Sequence, residues 1–190
     1  MGKGVWDEKS ISVSAHDTVV DSVANKYILE DLKAKLPNAV FDDLDAQYAD
    51  FNFDIKAEQA KLEAADIIVL QYPFYWYSMP GLMHRWMEQV FQHGWSHGTS
   101  GHALEGKTWI ASFTTGAPAF AYSREGMMRF ELEDYLAPFK SMCILTGMHW
   151  GGFVATTGVS YGDRKPENEA ATRAKLASHT EKLMALLAKA

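Results

Sequence analysis

The stretch that decides the fold runs from Asp66 to Gly94 and reads DIIVLQYPFYWYSMPGLMHRWMEQVFQHG. Its apolar start, residues 67–70, has the length and the β-branched content of a buried strand. We expect the strand to break at residues 71–73, and four consecutive aromatic residues follow at 74–77. Ligands of open α/β sheets bind outside the carboxyl ends of the strands, so this aromatic loop is a candidate site for a flat ring.

A helix is predicted to follow the aromatic loop. Ser78 and Pro80 mark its start, because a proline in the first helical turn gives up no hydrogen bond. From there to about residue 93 the apolar residues recur at helical spacing, at Met83, Trp86, Met87, Val90 and Phe91. The stretch therefore predicts a strand, a loop and a helix in succession.

The same alternation extends over the rest of the chain. Predicted strands cover residues 10–15, 39–44, 66–70, 107–113 and 150–156. Predicted helices cover residues 22–35, 58–65, 80–93, 129–145 and 167–189, the fourth of them interrupted at Pro138. Alternating strands and helices indicate an α/β fold with a doubly wound parallel sheet. Five strands predict the flavodoxin-like order 2-1-3-4-5, with helices on both faces.

Length and composition limit the class of protein. The chain has 190 residues, 47% of them hydrophobic, which predicts a single domain. The formal net charge of −6 argues against nucleic-acid binding. The one cysteine, Cys143, lies in an apolar run, which favours a buried, inert thiol. No signal peptide or membrane span is recognisable, so we expect a soluble cytoplasmic protein.

Three loops follow the first, third and fourth predicted strands and should meet at one edge of the sheet. The first loop, residues 16–25, leads into a helix, whose free N–H groups are suited to phosphate. Taken alone, this segment favours an ordinary N-cap by Asp21 or Ser22. The third loop, residues 114–117, has hydroxyls and amides that suit the polar edge of a ring, although alone it is only a turn.

The second loop, residues 73–77, carries the four aromatic side chains. One interpretation packs them in the core or at a subunit contact. Four consecutive aromatics directly after a strand are unusual for that purpose, so we favour ring binding.

Other nucleotide and metal signatures are absent from the sequence. There is no G-x-G-x-x-G and no G-x-x-x-x-G-K-[ST], which argues against a dinucleotide-binding Rossmann domain and an NTPase. His93, His97 and His102 are closely spaced, but they lie in a Gly/Ser-rich loop with Glu105 as the one nearby carboxylate. We expect a solvated or interface loop there and no metal site.

Five segments of the chain together resemble the flavodoxin-like NAD(P)H:quinone reductase family. Within it they are most similar to the bacterial ancillary subunits of glutathione-regulated potassium-efflux systems. The segments are AHDTVVDSVANK, YADFNFDIKAEQ, DIIVLQYPFYWYSMPGLMHRWMEQVFQHGWSHG, LEGKTWIASFTTGAPAFAY and GMHW. They cover most of residues 15–150. Residues 1–9 have no match in the family, so the resemblance implies an N-terminal extension there, which need not be ordered, and a single domain over residues 10–190.

The resemblance implies a flavin site built from the three loops. Its phosphate would lie on the first loop, at His16, Ser22, Val23, Ala24 and Asn25. Its isoalloxazine ring would pack on the second loop, at Phe74, Tyr75, Trp76 and Tyr77. Its pyrimidine edge would meet the third loop, at Thr114, Thr115, Gly116 and Ala117. The resemblance also implies a homodimer with each active site near the subunit contact.

Some positions depart from the family pattern. Asp17 stands where the family often has proline, and Ala117 replaces the second glycine of the usual TTGG. Tyr122 matches the catalytic tyrosine of the mammalian enzymes, but their following histidine aligns with Met128. A tyrosine–histidine proton relay is therefore not expected. Tyr122 is either a proton donor to the quinone or a packing residue.

The resemblance implies a two-electron reduction of quinones. NAD(P)H would pass a hydride to flavin N5, and after the nicotinamide leaves, a quinone would take two electrons in a ping-pong cycle. We expect FMN, with FAD as the alternative, since the short chain has no evident extension to cover an adenosine. The alternative function is a regulatory subunit that binds the cytosolic part of a membrane potassium-efflux transporter and uses flavin mainly structurally. A one-electron flavodoxin-type carrier is a third, weaker option.

Overall fold

The structure is a computed structural model that describes residues 9–16 and 23–190. Its strands are β1 (Ser10–Ser14), β2 (Val40–Asp43), β3 (Ile67–Pro73), β4 (Thr108–Thr114) and β5 (His149–Thr156). All neighbouring pairs are parallel, and the strands form one sheet in the order β2-β1-β3-β4-β5. The predicted flavodoxin-like α/β fold and its strand order are confirmed.

Helices cover both faces of the sheet. They are α1 (Val23–Lys35), α2 (Leu44–Tyr48), α3 (Ile55–Ala64), α4 (Gly81–Val90), α5 (Ala137–Thr146) and α6 (Glu169–Leu187). Alternate residues of β3 serve the two faces, because successive strand side chains point in opposite directions. Ile67 and Val69 pack in the cluster of α1 and α6, whereas Ile68 and Leu70 pack in the larger cluster on the other face.

The break predicted at residues 71–73 was wrong, because β3 continues to Pro73. Gln71 and Tyr72 are fully buried and pair in register with Ser112 and Phe113 of β4. Pro73 ends the strand, where its missing N–H costs little. The extra residues carry the aromatic loop out to the carboxyl edge of the sheet, level with the end of β4.

Short or proline-containing helices account for the other differences. The five-residue α2 was not predicted, and α3 begins at Ile55, three residues before the predicted start. Both begin at aspartate N-caps, Asp43 and Asp54, whose carboxylates accept backbone N–H groups. Pro138 does not interrupt a helix but lies in the first turn of α5, where proline is tolerated.

The remaining expectations concern Cys143 and the chain's first residues. Cys143 is buried, as predicted, and burial raises the pKa of its thiol to about 11. The Lys9 carbonyl, at the end of the predicted extension, accepts the N–H groups of Asp66 and Ile67. The rest of that extension, residues 1–8, lies outside the described residues. None of the helices described is long and apolar enough to cross a membrane.

Candidate functional site

The carboxyl ends of β1, β3 and β4 bring the three loops together, as predicted. The first and second loops touch where His16 Nε2 lies 3.2 Å from the hydroxyl of Tyr75. The second and third loops touch where the Phe74 N–H donates to the Thr114 carbonyl at 2.9 Å. The loops therefore form one continuous wall at the edge of the sheet.

A cleft of about 230 Å³ opens between these loops. Most of the predicted site residues line it: His16, Val23, Ala24, Asn25, Phe74, Tyr75, Thr114, Thr115 and Gly116. Trp76, Tyr77, Ala117 and Tyr122 are not part of its lining. Ser22 lies outside the described residues, as does Asp17. The cleft has hydrogen-bonding groups at the α1 end and aromatic rings at the β3 end.

The α1 end of the cleft offers donors. The helix begins at Val23, and the first N–H groups of a helix have no partner within it. Asn25 is almost completely buried, and its Oδ1 accepts from Gln71 Nε2 at 2.7 Å. The backbone N–H of His16 donates to the carboxylate of Asp45, which anchors the loop to α2. Helix-start amides and a fixed side-chain amide suit an anion such as a phosphate.

The second loop is a tight turn with unusual residues. The Ser78 N–H donates to the Tyr75 carbonyl at 3.0 Å, and Trp76 and Tyr77 between them have φ values of 48° and 67°. Positive φ at both central residues is the mark of a type I′ turn, which normally contains asparagine and glycine. Left-handed backbone is disfavoured for large side chains, so this turn is strained.

The strained turn exposes its aromatic side chains instead of burying them. The Trp76 side chain is 93% exposed and that of Tyr77 43% exposed. Core packing therefore does not explain Trp76. Contact with a ligand and contact with another subunit are two interpretations of this exposed ring.

The third loop is held through one of its threonines. The Thr115 N–H donates to Thr156, its hydroxyl donates to the Ala117 carbonyl at 2.7 Å, and its carbonyl accepts the Val159 N–H. These bonds do not use the amide N–H groups of Gly116 and Ala117. A Cβ added at Gly116 would come no closer than 4.0 Å to Val159, and φ there is not in the left-handed region. The fold does not require a glycine, but a ligand edge lying against the backbone would.

Tyr122 belongs to an aromatic cluster at the rim of the cleft, formed by Phe74, Tyr77, Tyr122, Phe130 and Tyr135. Its ring lies edge-on to Phe74 and Tyr135, with centroids 6.2 and 6.3 Å apart. Tyr77 and Tyr135 are stacked at 5.4 Å. Burial raises the pKa of the Tyr122 hydroxyl and outweighs the opposing effect of the Thr115 hydroxyl, so Tyr122 keeps its proton at neutral pH.

Sequence reasoning missed two parts of this site. Tyr135 gave no signal, since it lies 13 residues beyond Tyr122 in a region predicted only as helix. Val159, Ser160 and Asp163 also line the cleft. Ser160 and Asp163 form a reciprocal capping box, and the Ser-x-x-Asp pattern is visible in the sequence. The Ser160 hydroxyl and N–H lower the pKa of Asp163, which keeps a carboxylate at the cleft.

The histidine-rich loop is held by local contacts. The rings of His93 and His97 meet edge-on at 5.4 Å, and His102 lies 3.1 Å from the carboxylate of Glu105. Over the ranges 9–16 and 23–190, no group of three or more His, Cys, Asp or Glu side chains is arranged to hold a metal ion.

Residues 9–180 match the family described as having a flavodoxin-like fold. The chain belongs to this flavodoxin-like family. A curated relative in Cronobacter sakazakii, the glutathione-regulated potassium-efflux system ancillary protein KefG, is 42% identical over 142 residues, which are 75% of this chain and 77% of KefG. The predicted resemblance to such ancillary subunits is confirmed.

Solved structures of flavodoxin-like proteins superpose over most of the chain. A protein described as a thermophilic tryptophan halogenase from Streptomycin violaceusniger is 30% identical, with a TM-score of 0.80, and 89% of this chain and 96% of that chain are covered. General stress protein 14 from Treponema denticola, solved with FMN, is 24% identical, with a TM-score of 0.84 and coverage of 94% and 99%. An NADPH-quinone reductase from P. pentosaceus is 23% identical, with a TM-score of 0.77 and coverage of 92% and 96%. The last two likenesses establish the shared fold.

Proposed function

We propose that the protein binds one flavin per subunit, FMN or alternatively FAD, and uses it to reduce quinones with NAD(P)H. The observation that carries the proposal is the convergence of the three loops on one cleft. That cleft has donors for an anion at one end and the rings of Phe74 and Tyr75 at the other, next to the strained, exposed turn at Trp76 and Tyr77.

The residues present fit the parts of a flavin. The helix start at Val23 and the amide of Asn25 suit its phosphate. The Asp163 carboxylate and the Thr114 hydroxyl suit the hydroxyl groups of the ribityl chain, which donate and accept hydrogen bonds. The open backbone at Gly116 suits a ring edge. A structural neighbour has been solved with FMN, which supports the choice of FMN over FAD.

The protein's share of the chemistry is binding, charge stabilisation and one proton. A bound flavin would supply the two-electron chemistry that links hydride donation by NAD(P)H to the reduction of a quinone. The backbone N–H groups of Gly116 and Ala117 would stabilise negative charge on the polar edge of the flavin ring, as the donors of an oxyanion site do. Tyr122 holds a proton at Oη, and we propose that it donates this proton to the quinone oxygen.

Titration of the flavin-free protein with FMN and with FAD tests the binding step. We expect saturation at one flavin per subunit, accompanied by a change in flavin fluorescence. If neither flavin changes its fluorescence at micromolar protein, the proposed function is wrong. If a flavin binds, anaerobic reduction of the bound flavin by NADH or NADPH distinguishes a reductase from a one-electron carrier.

Replacing Trp76 with alanine is expected to weaken flavin binding without unfolding the protein. The ring is 93% exposed and contributes little to the core, whereas a stacked aromatic contact with a ligand is worth about 0.5–1.5 kcal/mol beyond buried area. Flavin affinity and thermal unfolding are measured together. Phe51→Ala is the matched control, since Phe51 is also an exposed aromatic residue with positive φ but lies between α2 and α3. Normal binding by Trp76→Ala would remove this ring from the flavin site.

Replacing Tyr122 with phenylalanine is expected to slow quinone reduction about tenfold, below the usual 10²–10⁴-fold range for general acids, because no histidine partner follows it. Reduction of the flavin by NAD(P)H should keep its rate, since that step needs no proton from Tyr122. Stopped-flow measurement resolves the two half-reactions. Tyr135→Phe, in the same aromatic cluster, is the control. Unchanged rates in both half-reactions would leave Tyr122 as a packing residue.

A second candidate function is regulation of a potassium-efflux transporter, and the likeness to KefG favours it. In this proposal the protein works in the cytoplasm, held at the inner face of the membrane by the transporter. Co-purification with a transporter's cytosolic domain, with and without flavin, tests it. Turnover of NADH with a simple quinone tests the enzyme independently, and the two functions are compatible.

We also propose a homodimer with the site near the subunit contact. Large apolar side chains are exposed at Phe130 of the aromatic cluster and at Phe120 and Met127. Exposed apolar patches of this kind mark interaction surfaces. Sedimentation equilibrium of the wild-type protein and of Met127→Glu measures the subunit number, and a monomeric wild type would contradict the proposal.

A further inference from the structure

A chain of buried hydrogen bonds crosses the sheet behind the cleft. It joins Thr156 of β5, His179 of α6, Ser112 of β4, Gln71 of β3 and Asn25 of α1. The successive distances are 2.9, 2.8, 2.6 and 2.7 Å. Four of these side chains have no role in the proposed chemistry, and His179, Ser112 and Gln71 are fully buried. Only Asn25, at the end of the chain, lines the cleft.

The donors and acceptors give this chain a direction. Gln71 donates through Nε2 to Asn25 and accepts at Oε1 from the Ser112 hydroxyl. A hydroxyl has one proton, so Ser112 can only accept from His179. His179 must therefore carry its proton on Nε2, which leaves Nδ1 to accept from Thr156. Every member of the chain thus has a fixed role.

The direction of the hydrogen-bond chain decides whether the nitrogen or the oxygen of the Asn25 amide faces the cleft. With Oδ1 turned toward Gln71, the Asn25 side chain has its N–H groups to offer the cleft that it lines. If the chain ran the other way, Asn25 would donate to Gln71 and turn its oxygen to the cleft. An N–H attracts an anion and a carbonyl oxygen repels one, so only the first direction suits a phosphate.

We propose that His179, Ser112 and Gln71 are positioning residues that hold the Asn25 amide with its nitrogen toward the phosphate of a bound flavin. The proposal rests on the proposed function, which supplies the phosphate. His179, neutral because burial lowers its pKa to about 4, accepts from Thr156 and donates to Ser112 as the Nε2–H tautomer. Ser112 is the link without which the Gln71 amide is free to turn over.

Replacing Ser112 with alanine tests this role with little change in volume. The readout is the ratio of the affinities for FMN and riboflavin, which differ only in the phosphate. Losing a hydrogen bond to a charged group and facing it with an oxygen should lower this ratio about tenfold or more. Riboflavin affinity and the folded structure should change little.

Ser12→Ala is the matched control. Ser12 is also a buried strand serine, but its hydroxyl has no hydrogen-bond partner among the described atoms and is not part of the hydrogen-bond chain. Its replacement should leave the FMN-to-riboflavin ratio unchanged. An unchanged ratio in Ser112→Ala, or equal losses in the two variants, would overturn the proposal. Failure of the wild-type protein to bind either flavin would instead refute the proposed function.

Nitrogen NMR of protein labelled in histidine gives a second test that needs no variant. The expected signature of His179 in the FMN-bound protein is the Nε2–H tautomer at neutral pH. The Nδ1–H tautomer would reverse the chain and overturn the proposal, even if Ser112→Ala failed to fold. Without any flavin bound, the same measurement still decides the direction in which the chain runs.

Discussion

Replacing Lys61 with methionine is expected to lower the free energy of unfolding by about 3 kcal/mol. The ammonium group lies 2.6 Å from the carboxylate of Asp42 and 2.5 Å from that of Glu58, and both carboxylates are buried. Methionine keeps the apolar stem but leaves two buried acids without the lysine that contacts both. Chemical denaturation at neutral pH measures the loss.

The pH dependence of this loss identifies its cause. Burial raises the pKa of Glu58, and the neighbouring Asp42 raises it further. An acid that takes up a proton no longer needs a cationic partner, so the difference between Lys61→Met and wild type should shrink as the pH falls. Lys35→Met is the control, since Lys35 forms a partly exposed pair with Asp31 and should cost less than about 1 kcal/mol. A similar small loss in both variants would contradict the role of Lys61.

The stability of the wild-type protein is expected to fall by about 2 kcal/mol between neutral pH and about pH 5 because of His179 alone. Burial lowers its pKa from 6.5 to about 4 in the folded protein. Between these two pKa values the histidine is protonated in the unfolded protein and neutral in the folded protein. The stabilisation present above pH 6.5 is therefore lost as the pH falls toward 4. His179→Gln, which has no titrating ring, should show a flatter curve.

The test is specific because it compares the change of stability with pH in the two proteins and not their absolute stabilities. His179→Gln will disturb the buried hydrogen-bond chain and lower stability at every pH. Glu58, whose raised pKa acts with the opposite sign, is common to both proteins and cancels in the difference. Parallel curves for variant and wild type would mean that His179 takes up a proton in the folded state as easily as in the unfolded one.

The arrangement of strands and helices was predictable because the spacing of apolar residues along the sequence indicates each element locally. Apolar runs and helical spacing gave the five strands and their order, and these place the three loops together. The turn at Trp76 and Tyr77 was not predictable, since type I′ turns are recognised by asparagine and glycine. The end of β3 was misjudged because a proline normally signals a break, whereas Pro73 pairs with Thr114 as the last residue of the strand.

Residues whose role depends on distant contacts gave no local signal. His179 looks like one more residue of an amphipathic helix, and its partner Ser112 lies 67 positions away. Tyr135 joins the aromatic cluster only because the chain folds back after the third loop. Such residues become visible when burial and hydrogen bonding are known, because side-chain type alone does not distinguish them from ordinary core or surface positions.

The exposed indole of the type I′ turn gives the protein a built-in fluorescent reporter. Trp86 and Trp109 are fully buried, so their emission is that of an apolar environment, whereas Trp76 emits from water. Iodide in solution should quench Trp76 more strongly than Trp86 and Trp109. Whatever covers the second loop, a flavin, a second subunit or a transporter, would shield this indole and shift its emission to the blue, so that binding could be followed without labels.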